Sequence, residues 1–105
     1  MRYHDSMMSA RGAAASQTSL MLEVGKALSC ENRLALLVAL ADRPATVSDL
    51  VGVTGTSQPN VSNHLALLRA ASLVKSEKSG RTVQYELATP QVADLVHALV
   101  AVVDS

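Results

Sequence analysis

Aromatic residues are nearly missing from this chain: there is no Trp and no Phe, and Tyr3 and Tyr85 are the only aromatics among 105 residues. A core without aromatics has to be filled by Leu, Val, Ala and Met, which pack readily between helices, so a mainly helical fold is expected. Cysteine is as scarce. Cys30 stands alone, which rules out an intrachain disulfide and a cross-linked secreted scaffold and leaves a reducing compartment as the simpler setting. Long apolar runs are lacking too. No segment approaches the ~20 residues of a spanning helix, and Arg2 and Arg11 are followed by no continuous apolar stretch. The expectation is a cytoplasmic, soluble protein, and the length allows one compact domain.

An excess of charge of either sign is also absent, with nine Lys and Arg against nine Asp and Glu. The charges are nevertheless unevenly placed. From Arg43 to Arg81, the cations Arg43, Arg69, Lys75, Lys78 and Arg81 face only Asp49 and Glu77, a local charge of +3, and the remainder carries −3. The middle of the chain is therefore its basic part. Signatures of catalysis are missing: there is no nucleophile and base pairing, no Gly-rich phosphate loop and no metal triad, and His64 near Ser62 on one helix is not a dyad. No enzyme activity is expected.

What is present is a succession of helical signals with one interruption. Residues 1–16 are rich in Ser, Ala, Gly and Met without a clean period and read as a flexible arm, leaving residues 17–105 as the domain. From Gln17, Leu20, Met21, Val24, Ala27 and Leu28 fall at helical spacing. A second helix opens at Glu31, places Leu34, Leu37, Val38 and Ala41 on one face, and stops near Asp42 because Pro44 disfavours helical geometry at Arg43. Thr46 and Asp49 form a capping box for a short third helix. Gly52 and Gly55 punctuate the chain before Ser57 caps a fourth, which has Pro59 in its first turn, Val61, Leu65 and Leu68 toward the core, and an end near Ala71. Residues 73–77 and 82–87 then alternate at period two about a turn at Lys78-Ser79-Gly80-Arg81, a hairpin with a basic tip. Thr89-Pro90 starts a last, unusually apolar helix.

That order, helix, helix, short helix, turn, helix, basic hairpin, helix, is the order of a winged helix-turn-helix. At residue level the chain resembles the ArsR/SmtB family of bacterial regulators over roughly Gly25 to Asp104. Ala27-Leu28-Ser29-Cys30-Glu31-Asn32-Arg33-Leu34 resembles the family's opening signature, and Ser57 to Leu65 its recognition helix. Leu68 to Val74 resembles the exit from that helix, and Gly80 to Leu87 the wing. The resemblance implies a homodimeric transcriptional repressor that binds a double-stranded DNA operator of inverted-repeat form.

The residues themselves agree with a DNA reader. The first turns of the fourth helix carry Ser57, Gln58, Asn60, Ser62, Asn63 and His64, short groups able to donate and accept at base edges. Gln58 and Asn60 can bond bidentately to adenine, and Ser62 and His64 suit phosphate or base. Val61 has methyl groups suited either to the core or to thymine, and His64 fits a structural hydrogen bond as well as a DNA contact. Lys78 and Arg81 at the wing tip suit phosphate or the minor groove. A winged helix used only for protein contact is the competing reading from another class, and it needs neither the polar helix face nor the basic wing. Dimerisation is expected through the first and last helices, where Leu20, Met21 and Val24 with Leu95, Leu99, Val102 and Val103 offer more apolar surface than one small domain covers.

Many members of the family bind metals, and the positions they use are mostly empty in this chain. Thr46 and Ser48 stand where some carry a Cys-x-Cys pair; Thr89, Gln91, Val102 and Ser105 stand where others carry Asp, His or Glu; and Ala66 and Ala70 replace recognition-helix cysteines. No metal site or cofactor is expected at those positions. Nickel or zinc could find O and N donors only at a non-standard set, His4, Asp5, Asp94, His97 and Asp104, of which Asp94 and His97 share a helix face. Against that stands the simpler reading of His97 as an interface histidine and His4 as part of the arm. Cys30 fits either a small structural cysteine or a thiol sensor activated at a helix N-terminus.

Overall fold

The computed structural model describes residues 17–105. The arm expected at residues 1–16, with His4 and Asp5, lies outside the described residues. Helix α1 covers residues 17–28; it buries Ala27, half-buries Val24 and Leu28, and leaves Leu20, Met21 and Leu22 exposed. The chain breaks at Ser29 and Cys30, and extended Cys30 precedes α2, Glu31–Asp42, without giving it a side-chain cap. Extended Arg43 ends α2 just before Pro44, as the proline requires.

The buried face of α2 differs from the expected one. Leu36, Leu37 and Leu40 are inside, whereas Leu34 and Val38 are exposed. Every residue from Leu34 to Ala41 is apolar, so the pattern itself does not define a face. The neighbours do: α2 packs on α3, α4, α5 and the second strand, and the side chains turned toward them are the buried ones.

Helix α3, Val47–Thr54, begins with the expected capping box: the Asp49 amide donates to Thr46 Oγ1 (3.2 Å) and the Thr46 amide to Asp49 Oδ2 (3.1 Å). It ends at Gly55, whose φ of +69° is left-handed and free of Cβ strain only for glycine. Ser57 Oγ then accepts from the Asn60 amide and starts α4, Gln58–Ala70, with Val61, Leu65 and Leu68 buried. The exit from α4 is a Schellman motif: the Leu73 amide donates to Leu68 O and the Ser72 amide to Arg69 O, both at 2.9 Å. Serine takes the position usually filled by glycine, with φ +61°, and Leu73 packs beside Leu68 in the core.

Strands β1, Val74–Ser79, and β2, Thr82–Leu87, pair antiparallel with Val74 opposite Leu87 and Ser79 opposite Thr82. Only Gly80 and Arg81 form the loop, with Gly80 at φ +61°. Lys78, expected in the turn, lies instead in β1 opposite Val83, because pairing continues one residue beyond it. Tyr85 of β2 also bridges to Ala45, through N–H···O bonds of 3.0 and 2.7 Å. Helix α5, Pro90–Asp104, starts with Thr89 Oγ1 accepting from the Val92 amide and buries Val92 and Val96. The core that results is aliphatic, with Leu36, Leu37, Leu50, Val61, Leu65, Leu68 and Val96 almost fully enclosed and Tyr85 packed at its edge. Among the described residues no helix is long and apolar enough to cross a membrane.

Candidate nucleic-acid interface

Helices α3 and α4, joined through the left-handed Gly55, form a helix-turn-helix whose outward side is the start of α4. Burying Val61, Leu65 and Leu68 fixes the rotation of α4, and that rotation leaves Ser57, Gln58, Asn60, Ser62 and Asn63 exposed. Val61 has no accessible surface, so it belongs to the core and presents no methyl group to a base. Gln58, Ser62 and Asn63 make no side-chain hydrogen bond among the described residues, leaving their donors and acceptors to solvent or a ligand. Asn60 is partly committed. Its Nδ2 donates to Thr56 Oγ1 at 3.0 Å, which orients the amide and leaves Oδ1 as the free acceptor. Thr56 lies before the cap Ser57, outside α4, so helical spacing does not announce this contact in the sequence.

His64 is half-buried, and its Nδ1 lies 3.4 Å from Arg33 Nη1 of α2. Of the two roles open to it, the structural hydrogen bond is the one formed within the protein. Arg33 belongs to the signature quoted above, but no local pattern announces a partner 31 positions away.

The hairpin packs on this unit through β1 against α4 and β2 against α2, α3 and α5. Within the basic segment, Lys75 is neutralised by Glu86 across the strands (3.3 Å) and Arg43 by Asp42 (3.3 Å). Arg69, Lys78 and Arg81 are exposed and form no ion pair among the described residues; with Glu77 equally exposed and unpaired on β1, the excess positive charge lies at the end of α4 and at the wing tip.

Of the apolar residues expected at a dimer interface, Leu20 and Met21 on α1 and Leu99, Val102 and Val103 on α5 are exposed, the last two by 72% and 81%. Val24 and Leu95 are half-buried within the chain itself. Leu22 and Val100 add to the exposed surface and had not been singled out. Asp94, His97 and Asp104 are all exposed on α5, and no group of three or more His, Cys, Asp or Glu side chains among the described residues is placed to hold a metal ion. Cys30 is half-buried and free.

Comparison with known proteins agrees with this architecture. The family model described as "Bacterial regulatory protein, arsR family" matches residues 30–76. The HTH-type transcriptional regulator KmtR of Mycobacterium tuberculosis is 40% identical over 80 residues, covering 76% of this chain and 62% of that protein. The HTH-type transcriptional regulator CmtR of Mycobacterium bovis is 39% identical over 85 residues, covering 81% of this chain and 72% of that protein. This chain thus spans somewhat less than two thirds of KmtR's length. Among solved structures, the homodimeric winged helix-turn-helix DNA-binding domain of Mb0332 from Mycobacterium bovis superposes with a TM-score of 0.82 at 30% identity, covering 87% of this chain and 84% of that one. With that degree of identity and coverage, on a helix-turn-helix and wing assembled as described, the chain belongs to the ArsR family of bacterial regulatory proteins.

Proposed function

We propose that this protein is a transcriptional repressor that binds an inverted-repeat DNA operator as a homodimer, reading bases with the first turns of α4 and holding the backbone with the wing. The observation that carries the reading is the pairing of two surfaces: an exposed polar face on α4 with free side-chain donors and acceptors, and unpaired cations at Arg69, Lys78 and Arg81. Short amides and hydroxyls at a helix N-terminus match the donor and acceptor pattern of the major groove, and cations on a hairpin match phosphate. Gln58, Asn60, Ser62 and Asn63 are the assigned base-facing residues, with Ser57 at the helix cap. The dimer forms through Leu20, Met21, Leu99, Val102 and Val103. In support, the Mb0332 domain is described as homodimeric and DNA-binding.

Selection of bound sequences from random DNA tests the whole proposal. The expected product is an inverted repeat with half-sites about one helical turn apart, bound less tightly as salt rises. Recovery of no consensus would favour a winged helix used for protein contact.

A further inference from the structure

Arg33 lies in the first turn of α2, yet its guanidinium reaches two other helices. Nε donates to Ala27 O at 2.8 Å and Nη2 to Lys26 O at 3.0 Å. Both carbonyls belong to the last turn of α1, where the helix dipole favours a cation; Lys26 O also accepts from the Ser29 amide (3.2 Å) and Ser29 Oγ (2.9 Å), whereas Ala27 O is bonded by Arg33. Nη1 faces His64 Nδ1 on α4 at 3.4 Å. A guanidinium has only donors, so in this contact Nδ1 is the acceptor. The groups around this cleft are Glu23, Lys26 and Ala27 of α1 and Leu67, Ala70 and Ala71 at the end of α4. Glu23 lies 3.9 Å from Lys26, and Arg33 has no carboxylate partner among the described residues. Neutral acceptors on two helices hold the fork, so its work is geometric, a task for which a planar multidentate group suits and an ammonium does not.

We infer that Arg33, acting through His64, is a positioning residue for operator binding: it fixes α4 relative to α1 and thereby the separation of the two recognition helices in a dimer. The inference rests on the proposed function, with α4 as reader and α1 at the dimer interface. His64 lies one turn beyond Asn60 on α4, so the tie to Arg33 sets where the helix sits as a body and leaves the reading side chains themselves unchanged. Across a two-fold axis any slack between α1 and α4 occurs twice. An inverted repeat, which needs both helices at a set distance, is sensitive to it; a single half-site is not.

The test compares full inverted repeats of varied half-site spacing with a single half-site, using the intact protein. Arg33→Lys should remain dimeric by light scattering and bind the half-site as wild type does. It should lose about tenfold on the optimal repeat, the scale of one hydrogen bond to a charged group, and respond less to inserted base pairs. His64→Leu should behave alike, the double variant should be no worse than either, and His64→Gln, which keeps an acceptor, should retain the spacing preference. Equal losses on half-site and full site with an unchanged spacing profile would overturn the inference. An independent readout without DNA is the imidazole ¹⁵N spectrum, in which the Nδ1 resonance of His64 should move on Arg33→Lys. An unmoved resonance overturns the tie alone, whereas wild-type protein showing no sequence selectivity overturns the functional reading and this role with it.

Discussion

Helices α4 and α5 are similar in length and solve the same packing problem, each burying a narrow stripe: Val61, Leu65 and Leu68 in one, Val92 and Val96 in the other. Their outward faces differ most between the first turns of α4 and the last turns of α5. α4 shows Gln58, Asn60, Ser62 and Asn63, whereas α5 shows Leu99, Val100, Val102 and Val103. The stripe toward the core determines that each is a helix in this fold, and the opposite stripe is left to be matched to a partner. Aliphatic groups gain by leaving water, which suits a second copy of the chain, while short amides and hydroxyls exchange water for base edges without stranding a donor.

Substitutions on the two outward faces can break this contrast. The largest effect is expected from Leu99→Asp or Val103→Asp, which should convert the dimer to monomer and lower operator affinity on the order of 10²-fold, because the second half-site contact is no longer intramolecular. Val103 is 81% exposed, so its substitution leaves the core intact. Light scattering that still finds a dimer would remove α5 from the interface. Gln58→Ala should cost about 1 to 3 kcal/mol on the preferred operator and much less on random DNA, relaxing specificity at one symmetric pair of positions. Arg81→Ala, on the wing, should weaken both DNAs by similar factors and reduce the salt slope by about one phosphate contact per wing. Titrations against both DNAs at several salt concentrations decide between the two roles, and the reverse pattern would make the wing the reader. The smallest effect concerns how α4 ends. Ser72 holds φ +61° in the Schellman motif, and Ser72→Gly should stabilise the fold by about 0.5 to 1 kcal/mol, since glycine carries no left-handed penalty but loses more backbone entropy. An unchanged urea midpoint would mean the serine is unstrained there.

Much of this was legible in the sequence because the signals are local. Thr46 and Asp49, Ser57 and Pro59, and Thr89 and Pro90 announce helix starts through hydrogen bonds made within three residues, and all three caps are formed. The period-two hairpin was equally plain, with only its turn misjudged at Lys78. Three features were hidden for physical reasons. Leu34 to Ala41 is apolar throughout, so only tertiary contacts decide that Leu36 and Leu40, not Leu34 and Val38, face inward. Val61 suits both core and base contact by composition, and its burial is set by the rotation of α4. The tie from Arg33 to His64 spans 31 positions and leaves no trace in any local pattern.

The backbone bridge between Ala45 and Tyr85 divides the wing into two mechanical parts. At Tyr85 the second strand is fastened to the segment linking α2 and α3 by two backbone hydrogen bonds, and the Tyr85 side chain packs on the core. From Ser79 to Thr82 the hairpin is exposed and held only by its own pairing. The base should therefore open only with the whole domain and exchange its amide hydrogens slowly, while the tip opens by itself at low cost. The wing is a lever with a fixed fulcrum: in the proposed complex its tip, carrying Arg81, can adjust to the DNA backbone without moving α4, which the core holds in place.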